Sequence, residues 1–334
     1  MNPQKLLVGA SALLALSHPA AALDIDPYGS LRIGVEAVSP DADPDYEGFR
    51  DAYSRVGIKF TDQINADWTV MAQLELPLDL ANFDVHSPYD TEEEIRIAKL
   101  QVSGPLGTLW YGRGWMAFYN AIAYPVDYFS SYYSGWATGT TFRREKTLYY
   151  SSPSIKGFSF AFATSDDNSG TSDNRNQYTV SYSQDGIYVA AGLDDNAAGA
   201  GPDDSILGLA ASYTTGPWYV AGKYERFDSS TSLDGGDVKN LLVQYKVDDK
   251  NTVRGMIADV DFPNGFWYGE YGGTVLHLGW DHQYDDDLKL FVEYYQEETT
   301  AAIGTGHDDF FASGYIRGAT SGGSVITTGV RYDF

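Results

Sequence analysis

Residues 324–334, SVITTGVRYDF, alternate between two kinds of side chain. From Ile326 onward the even positions hold Ile, Thr, Val, Tyr and Phe, and the odd positions hold Thr, Gly, Arg and Asp. A period of two predicts a β-strand with one apolar and one polar face. The sequence ends with this strand, so a neighbour must satisfy its backbone, and in a membrane only a closed barrel does this for every strand. We therefore expect these residues to close a transmembrane β-barrel.

The same alternation recurs along the whole sequence, and it predicts about sixteen strands of an antiparallel, all-β barrel. The segments lie near residues 31–37, 55–60, 68–76, 98–103, 108–113, 144–152, 158–163, 176–184, 187–193, 205–214, 218–227, 237–247, 251–260, 274–284, 288–297 and 323–334. Short connections such as 185–186 alternate with long ones such as 114–142. Outer-membrane barrels sort their loops in this way, whereas a soluble β-sandwich has no reason to do so.

The first residues have the pattern of a secretory signal. Lys5 precedes an apolar run over residues 6–16, and three alanines follow at 20–22. The run is too short to span a bilayer, and small residues favour signal-peptidase cleavage. We expect residues 1–22 to be a cleaved signal peptide and residues 23–334 to form one barrel domain.

Charge and cysteine content exclude several classes of protein. The chain has no cysteine and a net charge of −24, which would repel nucleic acid. Much of the acid lies in Asp-Asp pairs within Gly-, Ser- and Asn-rich breaks, at 166–167, 194–195, 203–204 and 308–309. We expect these pairs to be solvated loop tips. The alternative is that divalent cations bridge them to lipopolysaccharide or other acidic surface lipid.

No pattern in the sequence indicates an enzyme. A glycosidase needs two converging carboxyl groups, and no motif identifies such a pair. The sequence has no zinc-protease, P-loop, complete EF-hand or nucleophile-elbow motif. His277 and His282 lie five residues apart on a predicted strand, so they face opposite sides. We therefore expect no catalytic site, no metal site and no cofactor.

Aromatic residues near the predicted strand ends are candidates for the two interfacial girdles of a membrane barrel. These residues are Trp68, Tyr149, Tyr150, Trp218, Tyr219, Trp280, Tyr294, Tyr295, Tyr332 and Phe334.

Residues 114–142 form the longest interruption of the alternation within the first half of the sequence. Arg113 and Arg143 flank this segment, and its single charged residue is Asp127. Its aromatic residues are Trp115, Phe118, Tyr119, Tyr124, Tyr128, Phe129, Tyr132, Tyr133, Trp136 and Phe142. A loop of this length is usually functional, and one so aromatic is poorly suited to bulk water. We expect it to fold inward, pack on the barrel wall and turn Asp127 toward the channel.

Five passages together resemble the general diffusion porins of Gram-negative outer membranes. They are residues 54–59 (SRVGIK), 107–113 (GTLWYGR), 125–127 (PVD), 143–153 (RREKTLYYSSP) followed by Gly157 and Phe158, and the terminal Phe334. The resemblance covers essentially all of the sequence after residue 22, and it depends on the order and spacing of the passages.

The resemblance implies a homotrimer of sixteen-stranded barrels in the outer membrane, open to passive diffusion of ions and small hydrophilic solutes. It implies that the loop after the fifth strand narrows the lumen and that the second external loop, residues 77–93, contacts a neighbouring subunit. By position, Arg55, Arg113 and Arg143 match the wall arginines of the constriction, and Asp127 matches the acid on the opposing loop. Phe334 matches the aromatic residue that the barrel-assembly machinery reads.

Alternation also turns further charged residues toward the lumen, namely Arg32, Lys59, Lys99, Glu36 and Glu75. The inner segment has fewer carboxylates and more aromatic residues than the resemblance leads us to expect. Two alternatives therefore stay open beside a general porin. One is a saccharide-preferring porin, and the other is an adhesin or receptor barrel without an open channel.

Overall fold

The computed structural model describes residues 23–42, 44–87, 94–135, 142–166, 174–195, 205–228, 234–262, 271–298, 302–303 and 322–334. The strands in this part of the chain are β1 Asp24–Pro40, β2 Tyr46–Asp51, β3 Ser54–Gln63, β4 Thr69–Leu78, β5 Ile97–Gly104, β6 Gly107–Trp115, β7 Arg143–Ser151, β8 Phe158–Ser165, β9 Arg175–Gln184, β10 Ile187–Asp195, β11 Ser205–Thr215, β12 Trp218–Asp228, β13 Asp237–Lys246, β14 Asn251–Phe262, β15 Tyr271–Gln283, β16 Leu288–Glu297 and β17 Gly323–Asp333. Between β6 and β7 lie a π-helical turn, Tyr119–Ala123, and a 3-10 turn, Tyr124–Val126. Within the described residues, no helix is long and apolar enough to cross a membrane.

The strands form one closed antiparallel sheet. Apart from the step between β2 and β3, each strand pairs with its neighbour in sequence, and β17 closes the ring by pairing with β1. Strands β2 and β3 both pair with β1, the first with residues 33–38 and the second with residues 24–30. Strands β2 and β3 are therefore two halves of one passage of the chain across the barrel wall, which we call a crossing. This crossing is interrupted at Tyr53, whose φ is +65°. The described strands thus make sixteen crossings, and the predicted barrel is confirmed.

The last strand has the orientation that its alternation predicts. Ile326 is 54% exposed on the outer face, whereas Thr327 is 3% exposed on the inner face. Beyond β17, Phe334 and Gly29 exchange backbone hydrogen bonds of 2.9 and 3.2 Å. A Cβ on Gly29 would lie 2.5 Å from the Phe334 ring, so a side chain there would displace this ring.

The two faces of the wall differ in polarity, as a membrane barrel requires. Along β1 the outer positions hold Ile33, Val35 and Ala37, while Arg32 and Glu36 are buried on the inner side. The exposed outer face is apolar on other strands as well, for example at Leu74, Leu100, Leu148, Val180, Leu209, Leu241, Ile257, Leu278 and Val292. Charged side chains therefore collect in the lumen, where the function must lie.

The girdle prediction was wrong for three of its tyrosines. Trp218, Trp280 and Phe334 are exposed on the outer face. In contrast, Tyr149 and Tyr295 are buried inside, and the Tyr219 hydroxyl hydrogen-bonds a carbonyl within the barrel. Adjacent residues in a strand point to opposite faces, so one member of a Tyr-Tyr or Trp-Tyr pair must face inward.

Candidate functional site

The segment after β6 folds into the barrel and lies on its inner wall. We call residues 116–135 the inner loop; its helical turns pack against β9 through β13. Phe118 and Ile122 approach the wall at Gly208, where a Cβ would overlap the Phe118 ring and lie 2.8 Å from Ile122. A side chain at residue 208 would push the loop away, so this glycine permits the contact.

The first turn of the inner loop is held by a polar chain from β9 and β10. The backbone N–H of Phe118 donates to Gln177 Oε1 at 2.8 Å. Gln177 Nε2 in turn donates to Asp194 Oδ2 at 2.7 Å, and Arg175 Nε donates to Asp194 Oδ1 at 2.8 Å. Because these groups are buried, each of them needs its hydrogen-bond partner, and the chain of bonds therefore holds the loop in one position.

The middle of the inner loop is held by hydroxyl groups on the wall. Tyr188 donates to the carbonyl of Ala121 at 2.9 Å, and Tyr219 donates to the carbonyl of Pro125 at 2.8 Å. Both carbonyls lie in the short helical turns, where end carbonyls need partners outside the helix.

The far end of the inner loop reaches β15 and β16. Glu293 accepts the backbone N–H groups of Ser130 at 2.6 Å and Ser131 at 3.0 Å. His277 Nε2 lies 3.0 Å from the same carboxylate, and the His277 ring stacks on Phe129 with centroids 3.5 Å apart. The carboxylate therefore joins the loop end to two strands.

A second contact joins the loop end to β1 and β2. The Arg50 guanidinium lies 3.6 Å above the Tyr132 ring, a cation–π geometry. Arg50 Nη1 lies 3.8 Å from Glu36 Oε1, and the Tyr133 hydroxyl donates to Glu36 Oε2 at 3.3 Å. The inner loop thus spans the lumen from the wall at β9–β13 to the wall at β16, β1 and β2.

Asp127 is held by the inner loop itself. Tyr119 donates its hydroxyl to Asp127 Oδ2 at 2.7 Å, and Ser134 donates to Oδ1 at 2.5 Å. Burial, together with the neighbouring Asp127 carboxylate, holds the pKa of Tyr119 well above its ordinary value. In the described part of the chain, no ion pair joins Asp127 to an arginine. Its negative charge is therefore partly shielded from the channel by two hydroxyl donors.

Cations from six positions line the inner wall from β14 round to the start of β5, and we call them the basic arc. They are Arg254 on β14, Lys289 on β16, Arg331 on β17, Arg32 on β1, Arg55 on β3 and Arg96, which directly precedes β5. Lys289 is directly opposite Arg331 in the sheet register, and Arg331 is directly opposite Arg32. Like charges in directly opposed positions destabilise a sheet, so this row is costly.

Three carboxylates lie between the cations of the basic arc. Asp281 Oδ2 contacts Arg254 at 2.7 Å and Lys289 at 3.1 Å. Glu75 contacts Arg96 at 2.9 Å and Arg55 at 3.9 Å. The third, Asp333, accepts from Arg331 Nε. Six cations face three carboxylates, so the arc keeps an excess of positive charge.

The strand order sets the arc opposite the inner loop. In a ring of sixteen crossings the opposite wall is eight crossings away, and β10 is eight crossings from β1. The arc is centred on β17, β1 and β3, whereas the turns of the inner loop pack on β9 through β13. The lumen is therefore narrowed between a basic wall and an aromatic loop.

The four predicted constriction residues lie on β3, β6, β7 and the inner loop. Arg55 belongs to the basic arc, and Arg113 lies at the end of β6, half-buried. Arg143 lies at the base of the loop, with its guanidinium 4.7 Å above the Trp115 ring. Asp127 is bound within the loop by Tyr119 and Ser134.

The secondary lumen residues also divide by location. Arg32 and Glu75 belong to the basic arc or contact it. Lys59 Nζ is 3.1 Å from Asp26, and Lys99 Nζ is 5.5 Å from the Trp110 ring. Glu36 is buried beside Arg50, under the end of the inner loop.

The sequence did not reveal four members of the arc, namely Arg96, Arg254, Lys289 and Arg331. Alternation places Arg331 on the same face as Gly329 and Asp333, so its inward orientation was readable. The residues that oppose Arg331 on the neighbouring strands could not be predicted, because the register pairs it with strands that are distant in sequence.

Known proteins resemble this chain in both sequence and fold. A sequence model of the family described as Gram-negative porin matches residues 9–302. Outer membrane protein YedS of Escherichia coli is 26% identical over 271 residues, covering 73% of this chain and 74% of that protein. An anion-selective porin from Comamonas acidovorans has a TM-score of 0.73 at 18% identity, covering 94% of this chain and 100% of that one. The trimer form of OmpT from Vibrio cholerae has a TM-score of 0.67 at 16% identity, with coverage of 94% and 100%.

Proposed function

Because this chain belongs to the Gram-negative porin family, we propose that its narrowed lumen favours the passage of small anions. The chain is an outer-membrane porin, with a water-filled barrel for passive diffusion of ions and small hydrophilic solutes. Its family and fold are those of a channel rather than an enzyme. The selectivity of this channel is the part that we propose.

The observation that carries the proposal is the charge imbalance across the constriction. The basic arc has an excess of three positive charges, while the inner loop opposes it with Asp127, whose oxygens accept from two hydroxyl groups. In water, one wall charge attracts a monovalent anion about 8 Å away by about 0.5 kcal/mol, so three charges attract it by about 1.5 kcal/mol before salt screening. This favours anions over cations severalfold, which is how a ring of charge sets ion preference.

The anion-selective porin from Comamonas acidovorans shares the barrel fold of this chain, and its selectivity has the direction that we propose. The net charge of −24 does not oppose it. Charge outside the constriction is screened over about 8 Å at physiological salt, so the charges lining the narrow lumen decide selectivity.

Reversal potentials across planar bilayers test this proposal. With a tenfold KCl gradient, we expect the potential to have the sign of anion preference. Arg331→Gln should shift it toward cations and Asp127→Asn should shift it further toward anions. Lys239→Gln is the control, because Lys239 is exposed on the outer face of β13. A native channel with cation preference would overturn the proposal.

We further propose that the barrels assemble as a homotrimer, as in the trimer form of Vibrio cholerae OmpT. In the loop after β4, Phe83 is 92% exposed and has a φ of +58°. An exposed phenylalanine in a strained turn is a good candidate for an intersubunit contact. Phe83→Asp should convert trimers into monomers on an unheated gel, while Asp84→Asn should not. Equal trimer content in both variants would remove Phe83 from the interface.

Two further partners belong to the proposal, namely the barrel-assembly machinery and lipopolysaccharide. We propose that the barrel-assembly machinery recognises the terminal strand through Phe334. Asp194 is buried on β10 against Arg175, so the prediction that it is a solvated loop tip was wrong. The pairs at 203–204 and 308–309 lie outside the described residues, and we propose that these acidic loops bind lipopolysaccharide through divalent cations. Deleting Phe334 should reduce the amount of heat-modifiable barrel in the outer membrane, and Tyr332→Phe should not. Chelation should release lipopolysaccharide from purified trimers if the cations bridge them.

A further inference from the structure

The inner wall of β9 through β13 carries uncharged polar side chains near the end of the barrel that has the short turns. We call them the hydroxyl wall, and they are Ser181, Ser183, Tyr188, Ser212, Thr214, Tyr219 and Gln244. They continue the inward rows of their strands, since every second residue shares a face. Ser183 and Thr214 are exposed and the other five are half-buried, so these groups meet the water of the channel.

Tyr188 lies between two serines of the hydroxyl wall. It is directly opposite Ser183 on β9 and Ser212 on β11. Its hydroxyl donates to the carbonyl of Ala121 at 2.9 Å, which fixes the ring against the inner loop. Directly opposed side chains lie close enough to contact the same small molecule. Each serine hydroxyl offers one donor and two acceptor sites to that molecule.

Tyr219 is flanked in the same way by a hydroxyl and an amide. It is directly opposite Thr214 on β11 and Gln244 on β13. Arg254 Nε donates to Gln244 Oε1 at 3.2 Å, which orients the amide and marks the border with the basic arc. The Tyr219 hydroxyl donates to the carbonyl of Pro125 at 2.8 Å. Because this bond holds the ring before any solute arrives, binding costs little side-chain entropy.

Two tyrosines of the inner loop continue from Tyr219 into the lumen as a row of rings. The Tyr128 ring lies 5.1 Å from that of Tyr219, and the Tyr124 ring lies 5.8 Å from that of Tyr128. Tyr124 is 52% exposed and Tyr128 is half-buried, whereas Ile122 and Val126 are buried. The loop therefore packs its aliphatic side chains away from water and leaves the row of three rings at the channel.

Rings beside neutral donors and acceptors suit a solute that has apolar faces and hydroxyl groups at its edges. A sugar ring is such a solute, because its C–H bonds can lie on the negative face of an aromatic ring while its hydroxyl groups reach the wall. The distances between successive rings, 5.1 and 5.8 Å, are close to the length of one hexose unit in a linear chain. A linear oligosaccharide can therefore contact several rings at once.

We propose that the hydroxyl wall and the row of Tyr219, Tyr128 and Tyr124 form a binding site for short linear oligosaccharides. Successive sugar units stack on successive rings, and their hydroxyl groups hydrogen-bond the serine, threonine and glutamine side chains. The site lies on β9 through β13 and the inner loop, and it takes uncharged solutes, so it goes beyond the proposed anion preference. It requires an open channel and no particular ion selectivity.

Blockade of the KCl current by neutral probes tests the site. Maltotriose has three sugar units, glucose has one, and polyethylene glycol of the same mass as maltotriose fills volume without sugar rings. We expect maltotriose to block at about tenfold lower concentration than glucose, because each further stacked unit adds affinity. Polyethylene glycol should block no better than glucose.

Variants of the row and of the wall separate stacking from a change in channel shape. Tyr124→Leu should weaken the blockade by maltotriose about fivefold while the KCl conductance stays native. Ser212→Ala is the second variant, because it removes a hydroxyl from the wall and no ring, and it should weaken the blockade about threefold. Tyr178→Leu is the control, because Tyr178 is exposed on the outer face, and it should behave as native.

The outcomes separate this site from the selectivity of the channel. Equal blockade by maltotriose and polyethylene glycol would refute the site, as would native blockade in both Tyr124→Leu and Ser212→Ala. Neither result changes the reversal potential in KCl, so the anion preference would stand. Glucuronate that blocks far better than maltotriose, and independently of Tyr124, would refute the site in favour of binding at the basic arc. A channel with cation preference that still binds maltotriose through Tyr124 would refute the proposed function and support this site.

Discussion

The buried carboxylate of Glu293 is expected to hold the inner loop in place, and Glu293→Gln tests this. The native side chain accepts two backbone N–H groups, from Ser130 at 2.6 Å and from Ser131 at 3.0 Å. Glutamine has nearly the same shape but one acceptor oxygen, so one N–H loses its partner and the other loses a charged one. A hydrogen bond to a charged group contributes about 1.5–3 kcal/mol, so we expect a loss of about 3 kcal/mol.

The expected loss can be measured as exposure of the loop end. An equilibrium shift of about 3 kcal/mol raises the population of the detached loop about 150-fold. The chain has no cysteine, so Ser131→Cys introduces a single thiol at a buried position whose backbone, not side chain, binds Glu293. Maleimide labelling of this thiol reports detachment, and we expect Glu293→Gln to accelerate it about 100-fold.

A matched control lies on the same strand. Glu297 also accepts backbone N–H groups, from Ala302 at 3.1 Å and Ile303 at 2.9 Å, but these lie outside the inner loop. Glu297→Gln should leave labelling at residue 131 within about threefold of the native rate. If Glu293→Gln labels no faster than this control while retaining heat-modifiable mobility, the carboxylate does not anchor the loop.

Three further predictions concern the same loop and its supports. Gly208→Ala should overpack the contact between wall and loop, at a cost of about 1–3 kcal/mol in stability, and should displace Phe118 and change the single-channel conductance. Gly222→Ala is the control, because its Cβ meets an ordinary contact at 3.6 Å and should leave the conductance unchanged. Equal conductance in both variants would mean that the loop does not rest on residue 208. Arg50→Met leaves Glu36 buried without its cation and should cost about 3–5 kcal/mol in stability, measured as a lower Tm. Adding Glu36→Gln should restore most of the lost stability. If it does not, the loss comes from the contact of Arg50 with Tyr132 instead. Burial raises the pKa of Tyr133 and of Tyr119, so the folded loop favours the neutral form of both side chains. The stability that they give to the folded loop is complete below the ordinary tyrosine pKa of about 10 and falls as the pH rises above it. Conductance noise should therefore be flat from pH 6 to pH 9 and increase above pH 10, and noise rising at pH 7 would contradict it.

The barrel was predictable because its signal is local. The alternation of residues 326–334 reports which side chains face lipid, and it needs no knowledge of any other strand. The same pattern indicated the inward orientation of Arg32 and Glu36. It was less precise at element ends: β1 begins at Asp24 rather than near residue 31, and β2 was read as a loop. Polar and charged positions dominate these stretches, so their hydrophobic alternation is weak.

The long aromatic segment was also readable as an inner loop, but the placement of Asp127 was not. An isolated acid in an aromatic loop suggests a charge facing the channel. In the structure, Tyr119 and Ser134 come from either side of it in the chain and donate to both oxygens. The hydroxyl donors reach Asp127 because the loop folds back on itself, and this depends on contacts with a wall of distant strands.

The sequence by itself determined a membrane barrel with a polar interior, because period-two polarity is a property of single strands. The tertiary structure decided which charges meet. Lys289, Arg331 and Arg32 form one row because β1 closes on β17, nearly 300 residues later in the chain. A shift of one residue in that register would turn every side chain to the other face. Barrel closure is therefore the physical reason that a basic wall stands opposite the inner loop.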